Sequence, residues 1–198
     1  MKRKERAAET EAALKEAAKR VFAERGYLNA KITDITAEAG RSAGSFYNHF
    51  TGKEELLEAL LTDLAAYSEE AATATDHLED FTDPEAVRWH LAYYVRFYRE
   101  HAVTMRAVQQ AALVSEGFAR KLADFNTAEM ADLLSHVQFL TDAGYELPAS
   151  PRVSIRMMYA LSDTFLQMWQ QQSLDLSEEE VVEIMTRFVY RGLTGRDC

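Results

Sequence analysis

The chain has 198 residues, of which 47% are hydrophobic, and its formal net charge at pH 7 is −10. That length and hydrophobic content suffice for one well-packed core, or for a small domain joined to a larger one. The single cysteine, Cys198, excludes an intrachain disulfide framework and a thiolate metal cluster. Because the N-terminus is charged and no long uncharged apolar run occurs, we expect a cytoplasmic protein with neither a signal peptide nor a membrane span.

Helix signals dominate the sequence and predict an all-α fold. Only 8 glycines and 3 prolines are present, and apolar residues recur at three- and four-residue spacing. A first helix is predicted from about Glu5 to Arg25, where Gly26 ends it. Later helices are predicted over about 53–76, 84–98, 101–112 and 115–143, and two final helices are expected to begin at Pro151 and after Ser177.

Residues 32–56 predict two short helices joined by a tight turn. Thr33 is the expected N-cap of the first helix, Gly40 supplies the turn, and Ser42 is the expected N-cap of the second. Phe46 and Phe50 are four residues apart and therefore share the inward face of the second helix, which is predicted to reach about Phe50. This pattern is typical of a helix-turn-helix element.

The outward face of the second helix is predicted to contact DNA. Its hydroxyl, amide and imidazole groups suit phosphate oxygens and base edges. Thr51 and Glu54 are expected to form a capping box for the next helix, and Lys53 in the first turn would be neutralised by a DNA phosphate. The side chains on the outward face are Ser45, Tyr47, Asn48 and His49.

Charge is distributed unevenly along the chain. Residues 1–53 contain 11 Lys or Arg and 7 Asp or Glu, a net charge of +4, whereas the remaining 145 residues carry −14. Any DNA-binding surface must therefore be local and sensitive to salt. The basic arm at Lys2, Arg3, Lys4 and Arg6 is either a disordered tail or, on DNA, a segment that follows the backbone or enters the minor groove.

These motifs resemble the helix-turn-helix of the TetR family of bacterial transcriptional regulators. The resemblance covers about the first third of the chain, and the sequence departs from the family pattern at Lys31, Thr36, Arg41 and Ala43. It implies a DNA-binding domain at 1–52 and a helical effector-binding and dimerisation domain at 53–198. The matching residues are Arg25-Gly26-Tyr27, Asp34-Ile35-Thr36, Ala39-Gly40, Gly44, Tyr47, His49, Phe50 and Lys53-Glu54 before Leu56.

The residues predicted to contact DNA have simpler alternatives. Tyr47 and His49 could be ordinary surface or core residues, Ser42 could serve only as a cap, and Lys53 could be merely solvated. The joint spacing of Tyr47 and His49 favours DNA contact. The predicted contacts come from Lys31, Thr33, Arg41, Ser42, Ala43, Gly44, Ser45, Tyr47, Asn48, His49 and Lys53.

The helix over 153–169 is apolar on nearly every face and must therefore be covered on two sides. We predict a symmetric homodimer with a four-helix interface; the alternative is a single buried core helix. A two-fold dimer places two recognition helices about one DNA turn or a multiple apart, which predicts a palindromic operator. The predicted interface residues are Val153, Met157, Leu161, Phe165, Met168, Val181, Met185, Phe188 and Val189.

Large apolar side chains are frequent in residues 53–198, which we call the body. Their spacing alone favours core packing, whereas the family resemblance implies a pocket for a small apolar effector whose binding releases DNA. Asp163 either faces solvent, pairs with a residue such as Arg156, or meets a polar or cationic ligand. The candidate pocket residues are Trp89, Tyr93, Phe97, Met105, Gln109, Phe118, Phe125, Asn126, Met130, Phe139, Met158, Asp163 and Trp169.

The sequence therefore predicts a DNA-binding transcriptional regulator, with a repressor released by its effector as the first expectation. The alternatives are an activator and a helical small-molecule-binding dimer whose DNA-binding domain, residues 1–52, no longer binds DNA. We call that domain the head. Neither an enzyme, a cofactor nor a metal site is predicted, because His77, His90, His101 and His136 are scattered and no H-E-x-x-H or phosphate-loop motif is present.

Overall fold

Eight α-helices form the secondary structure of the described residues, and no strand occurs among them. The computed structural model describes residues 2–72, 76–172 and 174–198, with side chains described except at 2, 3, 68–72, 129, 132 and 172. The predicted all-α fold is confirmed. In chain order the helices are α1 (Lys2–Asn29), α2 (Ile32–Glu38), α3 (Ala43–Tyr47), α4 (Lys53–Ala72), α5 (Pro84–Val114), α6 (Glu116–Asp142), α7 (Pro151–Gln172) and α8 (Glu178–Thr194).

The helices are divided between two compact units. The first consists of Met1–Tyr67 and His101–Phe125, and the second of Ser68–Glu100 and Asn126–Cys198. Helices α5 and α6 contribute to both units. The first unit takes in α1–α3, most of α4 and parts of α5 and α6, and the functional boundary predicted after residue 52 stays a prediction.

Helix ends follow the capping signals of the sequence. Helix α5 begins at Pro84, as predicted, and the Glu85 N–H donates to Oδ1 of Asp83 at 2.9 Å. At the start of α8, the Ser177 N–H donates to the Glu180 carboxylate at 2.8 Å, while the Glu180 N–H donates to Oγ of Ser177 at 3.2 Å. This reciprocal capping box satisfies two backbone donors that the helix itself leaves unpaired.

Two predicted helix boundaries differ from the structure, and a third lies outside the described residues. The break predicted between residues 98 and 101 is wrong, because α5 contains no glycine, and no proline after its first residue, and continues from Pro84 to Val114. Helix α3 ends at Tyr47, earlier than the predicted Phe50. Helix α4 is described to Ala72, and its predicted extension through 73–75 lies outside the described residues.

The core of the first unit is built from the apolar helix faces that the sequence predicted. Residues of α1 and α4 pack together with the inward residues of α2 and α3, and α6 contributes an aromatic side chain. Their burial from water is the main favourable term in folding. The side chains that are at most 3% exposed include Leu14, Ala17, Ala18, Phe22, Ile35, Phe46, Leu56, Leu57, Leu60, Leu64 and Phe118.

The second unit has its own buried apolar residues, including Phe81, Leu140, Ile155 and Leu166. Two buried polar groups are satisfied by backbone carbonyls: Oη of Tyr190 donates to Thr82 at 2.9 Å, and the Trp169 indole N–H donates to Leu176 at 3.0 Å. Such partners matter because an unpaired polar group away from water is costly.

The last turn of α1 follows a break in the helix at Gly26. The glycine has φ 71° and ψ 159°, a conformation that residues with a side chain rarely adopt. A Cβ atom at this position would also lie 3.3 Å from Oε1 of Gln110. The same oxygen accepts a hydrogen bond from the Tyr27 N–H at 2.8 Å. Gly26 is therefore required both by its backbone conformation and by the close approach of Gln110.

Lys53 is bound to the carbonyl end of α1. Its Nζ donates to the carbonyls of Tyr27 at 2.7 Å, Ala30 at 3.1 Å and Leu28 at 3.3 Å, and it lies 4.4 Å from the centre of the Tyr27 ring. Burial lowers the pKa of Lys53. The cation opposes the dipole of its own helix but complements the exposed carbonyls at the end of α1.

We expect Lys53→Met to lower the free energy of unfolding by about 1–3 kcal/mol, because charge-assisted hydrogen bonds are lost while the aliphatic stem remains. Urea denaturation followed by circular dichroism measures the change. The matched control is Lys121→Met, which removes an exposed ion pair with Glu58 and should cost less than about 1 kcal/mol. Equal losses in the two variants would contradict this role for Lys53.

Candidate functional site

The turn between α2 and α3 is closed by backbone hydrogen bonds. Gly40 has φ 61°, the Gly40 N–H donates to the Ala37 carbonyl at 3.1 Å, and the Arg41 N–H donates to the Thr36 carbonyl at 2.9 Å. Together these bonds form a Schellman motif, which satisfies carbonyls at the end of α2. The prediction that Gly40 supplies the turn is confirmed. The backbone of Arg41 completes the motif while its side chain is exposed.

The N-caps of these two helices are assigned by hydrogen bonds. Ser42 caps α3 as predicted, because its Oγ accepts from the Ser45 N–H at 3.1 Å. The prediction of Thr33 as the cap of α2 is wrong, since the helix begins earlier and Lys31 occupies the cap position. The Lys31 N–H donates to the Asp34 carboxylate at 3.1 Å, so an acidic side chain in the first turn satisfies this end of the helix.

The capping box predicted from Thr51 and Glu54 is replaced by two hydrogen bonds from Thr51 to Glu55. The N–H and Oγ of Thr51 both donate to the Glu55 carboxylate at 2.6 Å, and these hydrogen bonds lower the pKa of Glu55. The prediction of Glu54 was wrong because α4 begins at Lys53, which makes Glu55 the third residue of the helix. Glu54 instead accepts a hydrogen bond from Oγ of Ser115 at 3.2 Å.

Helix α3 buries one face and exposes the other. Phe46 and Phe50 are 0% and 4% exposed, and their ring centres lie 5.6 Å apart, which confirms the predicted inward pair. Tyr47 is 57% exposed, although its side chain is large and aromatic. The outward surface of the element, which we call the α3 face, comprises the exposed residues Arg41, Ser42, Ala43, Gly44, Tyr47 and Asn48, with Ser45 half-buried beside them.

Two residues predicted to contact DNA are turned towards the protein. The His49 side chain is 15% exposed, and its Nδ1 lies 3.8 Å from the Glu11 carboxylate of α1. The ammonium of Lys53 has three N–H donors, and three carbonyls at the end of α1 accept from it. The predicted phosphate contact of Lys53 is therefore corrected to a structural role.

The remaining cations of the first helices differ in their partners. Within the described part of this region, the side chains of Lys31 and Arg41 are exposed and form no ion pair. Others are neutralised by carboxylates, as in the pair Arg20–Glu38. Positive charge at Lys31 and Arg41 is thus available to an anionic partner. The further paired cations are Lys15 with Glu11 and Asp63, Lys19 with Glu16, and Arg25 with Asp34.

An exposed apolar surface runs along α7 and α8 in the second unit. Isolated exposed apolar residues are ordinary, but a row at helical spacing indicates a binding surface. We call it the α7/α8 face. It includes half-buried Phe165 and the exposed residues Val153, Met157, Leu161, Met168, Ile184 and Phe188, of which Phe188 is 62% exposed.

Part of the predicted dimer interface is corrected by this arrangement. Val181, Met185 and Val189 are at most 5% exposed, so they pack within their own chain. They share one face of α8 at four-residue spacing, whereas Ile184 and Phe188 lie on the outward face. The sequence prediction missed Ile184 because apolar residues occupy both faces of this helix.

The predicted effector-pocket residues are distributed between the two units. Met105, Gln109, Phe118 and Phe125 belong to the first unit, and the others belong to the second. Phe139 is 42% exposed and is therefore corrected to a surface residue.

Helix α5 carries a row of stacked aromatic rings in the second unit. Trp89 stacks on Tyr93 with ring centres 6.1 Å apart, and Tyr93 stacks on Phe97 at 6.3 Å. Aromatic pairs of this kind add stabilisation beyond the area they bury. All three residues were predicted to line a pocket.

A polar group lies beside these rings. Oη of Tyr94 donates to Oδ1 of Asp163 at 3.3 Å, and the ring centres of Tyr94 and Tyr159 lie 5.4 Å apart. Burial raises the pKa of Asp163 even though this hydrogen bond opposes the shift. Among the alternatives for Asp163, pairing with Arg156 is replaced by a bond to Tyr94, and Arg156 is exposed. Tyr94 was missed because nothing in its spacing marks it as the partner of Asp163.

No helix in the described ranges is long and apolar enough to cross a membrane.

Comparison with known proteins places the similarity mainly in the first helices. Residues 14–60 match the model of bacterial regulatory proteins of the tetR family. The HTH-type transcriptional regulator TtgR of Pseudomonas putida is 42% identical over 81 residues, which cover 41% of this chain and 38% of that relative's length. The HTH-type transcriptional regulator YhgD of Bacillus subtilis is 23% identical over 183 residues, covering 91% of this chain and 94% of YhgD.

Similarity of fold extends over almost the whole chain. The structure of the transcriptional regulator FadR from Bacillus subtilis, solved in complex with stearoyl-CoA, matches with a TM-score of 0.77. The two chains are 16% identical, and the match covers 92% of this chain and 98% of FadR. The first helices are thus similar to the tetR family of bacterial regulatory proteins, and the fold of the chain is the fold of the FadR structure.

Proposed function

We propose that the protein is a homodimeric transcriptional repressor that binds a palindromic operator and is released from it by a small apolar effector. The observation that carries the proposal is the α3 face, an exposed polar surface held on a buried aromatic pair after a closed helix-turn-helix turn. Similarity of the first helices to the tetR family supports it, because the relatives that match there are regulators of transcription.

Docking of α3 in the major groove suits the chemistry of this face. The hydroxyl of Tyr47 and the amide of Asn48 can reach base edges or phosphates, and the Ser42 hydroxyl lies at the start of the helix. Lys31 precedes α2 and Arg41 precedes α3, and both side chains would contact the DNA backbone. Thr33, Ala43, Gly44 and Ser45 remain proposed contacts, and His49 would have to leave Glu11 to reach DNA.

Dimerisation through the α7/α8 face would supply the second head. Exposed apolar side chains on two neighbouring helices pack favourably against the same surface of a second copy, giving four helices around a two-fold axis. Two heads related by that axis require two half-sites in the operator.

Effector release requires a connection between the body and the head. The first unit supplies one, since Gln110 of α5 bonds Tyr27, Ser115 bonds Glu54, and Lys121 of α6 pairs with Glu58. Helix α5 carries both Gln110 and the aromatic row of the second unit. An effector bound at the aromatic row would favour one position of α5, and a coupling of about 1–3 kcal/mol would weaken operator binding roughly 5- to 150-fold.

The direct test is fluorescence anisotropy of the purified protein with DNA from upstream of its own gene, compared with scrambled DNA. At physiological salt we expect at least about a 1,000-fold preference for the upstream DNA. Equal, weak binding to both DNAs would contradict the proposal and favour a small-molecule-binding dimer whose head does not bind DNA.

Tyr47→Ala should weaken operator binding by about 1–3 kcal/mol, because it removes a contact of the α3 face without disturbing buried Phe46 or Phe50. Anisotropy measures the loss, and sizing checks that the dimer is intact. The matched control is Tyr145→Ala, which truncates a half-buried tyrosine of the second unit. If Tyr47→Ala binds like the wild type, α3 does not dock as proposed.

Arg41→Ala should reduce the slope of log K against log salt by about one unit, because one phosphate contact is lost. The control is Arg20→Ala, since that guanidinium is paired with Glu38 and lies outside the proposed contacts. A salt slope that is unchanged in Arg41→Ala, or reduced equally in both variants, would remove Arg41 from the interface.

Phe188→Arg should shift the protein from dimer to monomer, because it places a charge in the centre of an apolar interface. Analytical ultracentrifugation at micromolar concentration measures the state. Leu113→Arg is the control: Leu113 is 83% exposed but belongs to the first unit. Dimers that persist in Phe188→Arg would place the subunit contact elsewhere.

A further inference from the structure

Three histidines that are scattered in the sequence converge in the second unit. His77 precedes α5, His90 lies on α5, and His136 lies on α6. One ring nitrogen from each lies within 4.8 Å of the other two. The ring centres are 4.8–5.0 Å apart. The expectation of scattered histidines is therefore wrong for these three, because it rested on sequence spacing alone. We call them the histidine cluster.

The separations suit ligands that share one ion. Nε2 of His77 and Nε2 of His90 are 3.0 Å apart. Two imidazole nitrogens bound tetrahedrally to one zinc ion lie about 3.3 Å apart, given a metal–nitrogen distance of about 2.0–2.1 Å. The widest separation in the histidine cluster exceeds this by at most about 1.5 Å, which small changes of side-chain torsion can remove.

His90 is oriented as a ligand. Its Nδ1 lies 2.8 Å from the Ala86 carbonyl. Because a carbonyl only accepts, Nδ1 carries the proton, and the lone pair of Nε2 is directed towards His77. A hydrogen bond from the second ring nitrogen to a carbonyl is what fixes the tautomer of metal-binding histidines.

The histidine cluster lies largely away from solvent, since His136 is 3% exposed and His77 and His90 are half-buried. Aromatic rings form part of the wall: Phe81 stacks on His136 with ring centres 5.4 Å apart, and Trp89 lies 4.9 Å from His77. In the absence of an ion, Nε2–H of His77 donates to Nε2 of His90, and metal binding would require that proton to move to Nδ1 of His77.

We propose that His77, His90 and His136 bind a divalent transition-metal ion of the zinc class. A set of three neutral imidazoles selects zinc, cobalt, nickel or copper over magnesium or calcium, which prefer oxygen ligands. Three protein ligands leave a fourth position for water or an anionic ligand. Because the imidazoles carry no charge, an anion in that position would partly balance the charge of the ion.

The first experiment is titration of tag-free, chelator-treated protein with Co²⁺, followed by visible absorption spectroscopy. We expect one Co²⁺ bound per chain with the intense visible bands of a four-coordinate site, displaced by an equivalent of Zn²⁺. Zn²⁺ should also raise the melting temperature, since an ion that binds only the folded state stabilises it. Absence of uptake at micromolar Co²⁺ would overturn the proposal.

Two variants locate the site. His90→Asn retains a donor near the Ala86 carbonyl but removes Nε2, and His77→Phe retains a ring beside Trp89 but removes both nitrogens. Each should weaken Co²⁺ binding at least about 100-fold and abolish the Zn²⁺-dependent rise in melting temperature.

The matched control is His101→Gln, which changes a histidine of the first unit that packs against Tyr67. It should bind Co²⁺ like the wild type. Circular dichroism establishes that each variant is folded, and the wild-type spectrum tests the site even if one variant does not fold. Wild-type affinity in both cluster variants, or loss of binding in His101→Gln alone, would assign the metal to other residues and overturn the proposal.

Discussion

A helix of five residues cannot sustain itself in water, because its few internal hydrogen bonds do not repay the cost of nucleation. Helix α3 is of this length, so its position depends on the burial of Phe46 and Phe50 and on the turn at Gly40. The outward side chains of α3 are therefore positioned by the same contacts. The chemistry of the α3 face is therefore fixed by the core of the first unit rather than by the face itself.

Residues of the same unit also hold the C-terminal end of α1 in place. Lys53 binds the carbonyls that end α1, and Gln110 binds the backbone next to Gly26. Both contacts use backbone groups that a helix end leaves unpaired. Part of the support of the first helices therefore comes from α5 and α6, far along the chain.

The parts of the structure that were predictable from sequence depend on neighbouring residues. Gly40, Ser42, Pro84 and Ser177 mark their turns and caps because the hydrogen bonds involved span a few residues. Lys53 was misassigned because its acceptors lie more than twenty residues earlier, and the histidine cluster was missed because its members meet only after folding. On α8 apolar residues occupy both faces, so the pattern could not tell buried Val181 from exposed Phe188.

The continuity of α5 has a consequence for how the chain tolerates change. Its 31 residues form a rod about 46 Å long, in which each residue advances the angular phase by about 100°. Within the second unit, Trp89, Tyr93 and Phe97 are therefore held on one face of α5 by their four-residue spacing. Substitutions between these residues preserve that face, whereas a single insertion or deletion turns one ring away from the next. Length, more than composition, is the property of this segment that the fold constrains.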